Sequence, residues 1–203
     1  RLTHQPLSFS VSETTEGVHI HIIDAELMGK GEKEKKDLYI EGVQNNGIIN
    51  HYEYIINSEG TIEIRHVLKP EGKMPLWFPR IGLTLTVSDA LDQVKWYGRG
   101  PQENYPDRKT GYPMGIYAST VQAMYEPYLM PQDYGLRTDV RWLQLTTDKG
   151  IGLQFKMNEW FNFNIYPYST DNLTKAMYTY QLQKQKGMTL NLDYATTGVG
   201  CTA

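Results

Sequence analysis

Apolar and polar residues alternate along most of this chain with a period of two. The segments VHIHIID (18–24), DLYIEGV (37–43), YEYIIN (52–57), TIEIRHVL (61–68), RIGLTLTVSD (80–89), VKWYG (94–98), RWLQLTT (141–147), IGLQFKM (151–157), FNFNIYPY (161–168), YTYQLQ (178–183) and LNLDYA (190–195) all follow it. Successive side chains of a strand point to opposite faces, so the pattern predicts strands with one buried face. Turn residues separate them: SEG at 58–60, DKG at 148–150 and QKG at 185–187. Two of these turns join neighbouring strands into hairpins. Only STDNLTKAM, ending at Met177, reads as helical, with Ser169, Thr170 or Asp171 suited to cap a turn or two. About a dozen strands without long helices predict an all-β fold of two large antiparallel sheets packed face to face.

The chain has 203 residues, ample for a hydrophobic core, and reads as one β domain over 1–203. Its net charge is −3 with both signs mixed, which argues against nucleic acid or a membrane surface as partner. The densest one-sign cluster, GKGEKEKKD at 29–37, is diluted by two glutamates and reads as a solvated hairpin tip. No run approaches the ~18 apolar residues of a membrane span, and no signal peptide is visible. The single cysteine, Cys201, excludes an internal disulfide but does not decide between bacterial cytoplasm and periplasm. A first residue of Arg1 suggests a piece of something longer. The sequon Asn172-Leu173-Thr174 matters only in a eukaryotic secretory setting and reads as incidental.

From Gly98 to Gln132 the alternation breaks, in a stretch rich in Gly, Pro and Tyr. Loops this long usually bind something or seal an interface. It overlaps WYGRGPQENYPDRKTG (96–111), which holds Glu103 and Asp107. Two carboxylates suit glycosidic chemistry, which needs an acid and a base or nucleophile about 5–10 Å apart. But Arg99, Arg108 and Lys109 flank them, and cations keep carboxylates ionised, which suits a salt-bridged joint better than a proton donor. Arg137, Asp139 and Arg141 recur with period two, which predicts one face of a strand carrying either an ion network or a polar floor for a sugar. His19 and His21 share a strand face and could share a metal. No third ligand is evident beside them, and a solvent-facing pair is the plainer reading, so no metal site is expected. Nucleophile-elbow, Walker, dinucleotide-binding and paired CxxC motifs are all missing.

The strings GRGPQENYPDRKTG and MYEPYLMPQDYGLRTDVRWLQL, followed by FNFNIYPYS and LNLDYATTGVG, carry a resemblance. They resemble the C-terminal domain of the large bacterial β-galactosidases of glycoside hydrolase family 2. The likeness is strong over about the last 125 residues and weak over about the first 80. It implies a β supersandwich similar to galactose mutarotase, serving as the C-terminal domain of a larger enzyme. In that family a TIM barrel holds both catalytic glutamates, so no catalytic residue is expected here. It implies the barrel and the other domains of the same chain as partners, β-galactosides as the parent's substrate, and no cofactor in this segment. A divalent metal and sodium would belong to the parent's barrel. The residues expected to face carbohydrate or a domain interface are Glu103, Asn104, Tyr105, Asp107, Arg137, Asp139 and Arg141. Two departures stand out. The family's pocket tryptophan follows the G-V-G segment, whereas this sequence stops at Ala203, so the domain is expected to be truncated before its end. The family also often has Gly at Cys201, and Asn-Gly near Tyr134-Gly135.

Two alternatives remain. One is a free mutarotase or epimerase, which needs a general acid and base, usually His with a carboxylate. All five histidines lie at or before His66, away from the clusters at 99–109 and 137–141. The other is a carbohydrate-binding or interaction module, suggested by 15 tyrosines and 4 tryptophans.

Overall fold

A computed structural model describes residues 2–28, 46–76 and 78–198. The predicted strand at 37–43, the hairpin tip at 29–37 and Cys201 lie outside the described residues. The all-β expectation holds. The described residues form ten strands in two antiparallel sheets, with one short helix and one 3-10 turn. Among them no helix is long and apolar enough to cross a membrane. The chain divides into two compact units, Arg1–Leu76 and Trp77–Ala203, each carrying one sheet.

In the first unit, strands β1 (Leu2–Thr14), β2 (Gly17–Met28), β3 (Gly47–Ile56) and β4 (Ile62–Glu71) pair in chain order. SEG makes the β3–β4 hairpin, with Gly60 at φ +82°, where a side chain would be strained. Asp24, buried, accepts hydrogen bonds from Asn50 Nδ2 (2.8 Å) and His4 Nε2 (2.7 Å), tying β1, β2 and β3 together. His66 Nε2 lies 3.0 Å from Asn50 Oδ1 and its ring stacks on Tyr52.

The second unit orders its strands β5-β10-β9-β8-β6-β7. They are β5 (Arg80–Val87), β6 (Gln93–Arg99), β7 (Met114–Thr120), β8 (Arg137–Thr146), β9 (Gly152–Tyr166) and β10 (Met188–Thr196). One face is apolar. Trp96 opposes Leu143, Val94 opposes Leu145, Phe163 opposes Leu192 and Ile165 opposes Leu190. All eight are buried, forming the core of the unit. The two segments at 151–157 and 161–168 are one continuous strand, β9, reached through the DKG hairpin.

Three local expectations change. β1 lacks an early alternation because Pro6 sits at a register shift between Pro6 and Ser8. β7 lies inside the Gly- and Pro-rich stretch that reads as loop. YTYQLQ is not a strand but the 3-10 turn Thr179–Gln181. Side chains take the amides at its two ends: Gln181 Oε1 accepts from Tyr178 N, and from Met177 N just before it, and Asn172 Oδ1 accepts from Gln183 N, while Gln181 N and Leu182 N bond to the backbone of the turn. Such local bonds compete with a strand ladder. The expected helix is present as α1 (Thr170–Lys175), capped by Ser169, whose hydroxyl accepts from Asn172 N.

Candidate functional site

The polar loop after β6 is bolted to the start of β8. Asn104 N donates to Leu136 O (2.8 Å), while Asn104 Oδ1 accepts from Thr138 N (3.1 Å) and Thr138 Oγ1 (2.5 Å). Asn104 thus acts as one more rung beside the start of β8, beyond the point where its ladder with β6 ends at Tyr97 and Trp142. Glu103 is 5% exposed. Its carboxylate accepts from Gly135 N (2.8 Å), Arg108 Nη2 (2.9 Å), Tyr105 Oη (3.5 Å) and Tyr128 Oη. A carboxylate offers about four lone-pair sites, and four donors occupy them here. Burial and the Glu103 charge together push the Tyr105 and Tyr128 phenols up, so both stay protonated donors. Gly135 has φ +77°, which glycine adopts without strain and which turns its N–H onto Glu103. Tyr105 and Arg108 close the loop tip through paired backbone bonds.

The expected single face of Arg137, Asp139 and Arg141 is corrected by the structure. Register shifts between Arg137 and Val140, and between Val140 and Trp142, interrupt the period of two, and Asp139 sits at φ +56°. A bulge re-aims the side chains around it. The three residues therefore serve different neighbours. Asp139 binds Arg99 Nε (2.5 Å) and Lys109 Nζ (2.8 Å) across the loop. Burial pushes its carboxyl up, but the hydrogen bonds from Lys109 and Arg99 outweigh this and hold it below its ordinary value. Arg99 Nη1 also donates to Lys109 O and Tyr112 O, so one guanidinium fixes both ends of the loop. Arg137 is buried against the Trp96 ring, with Nη1 bonded to Gly135 O (2.9 Å). Burial pushes its pKa down to about 10, against the pull of Glu103 and Glu126. Arg141 stacks on Trp160, its guanidinium carbon 3.7 Å from the ring centroid.

Behind the loop, the centre of the second face of the six-stranded sheet, on β9 and β10, is buried and polar. Thr84 donates to Asn191, and Asn191 Nδ2 to Asn164 Oδ1 and Tyr166 Oη. Asn164 Nδ2 and Tyr166 Oη converge on Asp133, which also pairs with Arg80 Nη2 at 2.9 Å. Asp193 is fully enclosed beside them. Arg80 Nε lies 3.0 Å from its Oδ2 but is not hydrogen-bonded to it, and neither carboxylate oxygen has a hydrogen bond among the described residues. Burial therefore dominates and pushes Asp193 up to about 7, with Arg80 opposing. The sequence reading missed Asp133, Tyr128 and Gly135 as members of this machinery. They lie inside the quoted string EPYLMPQDYGLRTD, so the signal was the string itself and not its periodicity.

The candidate residues divide by accessibility. Glu103, Asn104, Tyr105, Arg137 and Asp139 are buried, while Asp107 is exposed with its carboxylate against Gly198 and no hydrogen bond among the described residues. A hollow of about 490 Å³ opens beside Asp139, lined also by Lys109, Glu159, Trp160, Asn162 and Tyr194. Exposed aromatic rings next to amide and charged groups have the chemistry of a carbohydrate contact or of a domain interface.

The sequence of this chain matches a known family. The family model for the β-galactosidase small chain covers residues 8–203. The chain belongs to that family. It is 38% identical over 147 residues to a β-galactosidase of Priestia megaterium, covering 72% of this chain and 14% of that protein. It is 39% identical over 122 residues to a β-galactosidase of Vibrio cholerae, covering 60% of this chain and 11% of that protein. A Leuconostoc mesenteroides β-galactosidase matches at 31% over 157 residues, 75% of this chain and 14% of its own. The matched part thus spans 11–14% of the length of these relatives.

Proposed function

We propose that this chain is the accessory C-terminal part of a β-galactosidase, an enzyme hydrolysing terminal β-D-galactosides. In this reading it packs on the catalytic barrel and helps to form the rim of the sugar pocket, and it hydrolyses nothing by itself. The observation that carries the proposal is the sequestration of Glu103. Glycoside hydrolysis needs one carboxyl to donate a proton and a second to attack or to activate water. The carboxylate at the centre of the family's most distinctive string is instead enclosed, with four donors on it. Asp107 is left without a partner carboxylate from that string. In this reading the two catalytic glutamates belong to the barrel, as do the divalent metal and sodium; all three are implied by the family resemblance. The hollow bounded by Trp160, Tyr194 and Asp139 is the surface we assign to the rim or to the barrel contact.

The test is an assay of the purified chain, from a host lacking its own β-galactosidase, on nitrophenyl-β-galactoside and on mutarotation of galactose. No turnover is expected in either. Hydrolysis that survives purification would place catalytic groups in this chain and overturn the accessory role.

A further inference from the structure

We propose that His19, His21 and Glu53 form a binding site for a divalent cation of the zinc type, clipping β2 to β3 in the four-stranded sheet. The proposal is independent of the β-galactosidase reading. The two histidines alternate on β2, and Glu53 is the direct cross-strand partner of His21 on β3. The missing third ligand thus comes from the next strand, more than thirty residues on, which is why neighbouring sequence does not reveal it. Their ligand atoms all lie within 4.8 Å of one another.

The separations carry the argument. Glu53 Oε1 stands 3.9 Å from His19 Nδ1 and 3.9 Å from His21 Nε2. That is too long for hydrogen bonds, which end near 3.2 Å. Two ligand atoms on one tetrahedral zinc, each at about 2.0–2.1 Å, are roughly 3.4 Å apart. The carboxylate oxygen therefore stands about 0.5 Å beyond that spacing from each imidazole, and the two imidazoles are within 4.8 Å of one another, so side-chain rotations would close the set onto one ion. Neither imidazole makes a hydrogen bond among the described residues, and His19 Nε2 is buried without a partner.

The carboxylate is already oriented for the role. Arg65 Nη1 holds Glu53 Oε2 at 3.1 Å, leaving Oε1 turned to the imidazoles. Glu63 takes Arg65 Nε at 2.8 Å and offsets the guanidinium charge. An outer partner of this kind fixes the angle of a metal-binding carboxylate. Two imidazoles and one carboxylate suit zinc, and also copper or nickel, whereas magnesium and calcium prefer all-oxygen sets. The His21 side chain is 51% exposed and that of His19 is 15% exposed, so the cluster opens to water on one side. Water would complete the tetrahedron there. A cation bound to the folded sheet and not to the unfolded chain raises stability by mass action.

The test is calorimetric titration of the EDTA-stripped chain with zinc, beside its thermal melt. One equivalent of zinc is expected to bind, with a rise in Tm and no comparable heat from magnesium. His21→Ala and Glu53→Gln are each expected to weaken binding by about tenfold or more. Lack of saturable binding overturns the proposal, as does binding that both variants retain, which would place the ligands elsewhere. X-ray absorption of the zinc-loaded wild-type chain needs no variant. Two imidazole ligands are expected, and fewer than two overturns the site.

Discussion

The two sheets of this chain differ in what they do with their faces. The six-stranded sheet buries one face through Trp96, Phe161, Phe163 and Leu190, and at the centre of the other it encloses a polar network that includes Asn164, Tyr166 and Asn191. The four-stranded sheet buries little. Among its described residues only Ala25 and Leu27 are buried apolar side chains, while Phe9 is 68% exposed and Ile62 57%. Its strands are held by their backbone ladder and by cross-strand contacts such as Asp24–Asn50. The strings that carry the family resemblance all fall in the six-stranded unit. The difference teaches that one unit encodes its shape through enclosure, where most buried polar groups find hydrogen-bond partners and Asp193, which has none among the described residues, has its pKa raised. The other keeps its side chains available for contact.

The sharpest break of that contrast is to cut one ring from each sheet. Trp96→Ala is expected to cost about 3–5 kcal/mol, since the ring is fully enclosed and carries Arg137 on its face. Phe9→Ala should stay within about 0.5 kcal/mol. Chemical denaturation checks both, and equal losses would erase the distinction between the units.

The next effect concerns the polar face. Asp193 has its pKa raised to about 7 by burial, against an ordinary value of 3.8. The folded state therefore binds a proton that the unfolded state has released, from about pH 4 to about pH 7. The resulting stability is fully present below the unfolded pKa and is lost as pH rises through the folded one. Between pH 4 and pH 8 the loss is on the order of 2–4 kcal/mol. Asp193→Asn is expected to remove most of that decline, as read from urea midpoints against pH. A decline of the same size in the variant would assign it to another group.

A smaller effect of opposite sign is expected at the bulge. Asp139 has a lowered pKa, so its contribution is present above the unfolded value and fades as pH falls through the folded one. Asn tolerates φ > 0, so Asp139→Asn keeps the backbone and removes mainly the charge that Arg99 and Lys109 share. A loss of about 1–2 kcal/mol at pH 7, shrinking as pH falls below the ordinary carboxylate range, is expected in acid titration of stability. A loss independent of pH would point to backbone strain instead.

Period-two reading found the all-β class and eight of the described strands because one apolar face imposes that rhythm, as in Leu143, Leu145 and Phe161, Phe163, Ile165. It failed where side chains take over backbone bonding, as Gln181 and Asn172 do in YTYQLQ. It also failed where a bulge breaks the rhythm, as at Asp139. The loop around Glu103 was legible as polar and dense, and its reading as a tied joint holds for Glu103 and Arg108. No hydrogen bond of Asp107 is present among the described residues to extend that reading to it. The partners of Glu103 were not legible. Tyr128 and Gly135 lie 25 and 32 residues away, and only the packed loop brings their donors to one carboxylate.

The Glu103 carboxylate is expected to hold a joint and to perform no chemistry. The direct measurement is Glu103→Gln, followed by thermal melting of the chain and by hydrolysis in the intact parent enzyme. An amide cannot accept from all four donors at once, so a stability loss on the order of 2–3 kcal/mol is expected. Hydrolysis per folded molecule should stay close to that of the unsubstituted enzyme. An unchanged melting temperature with hydrolysis abolished would instead make Glu103 a participant in the reaction.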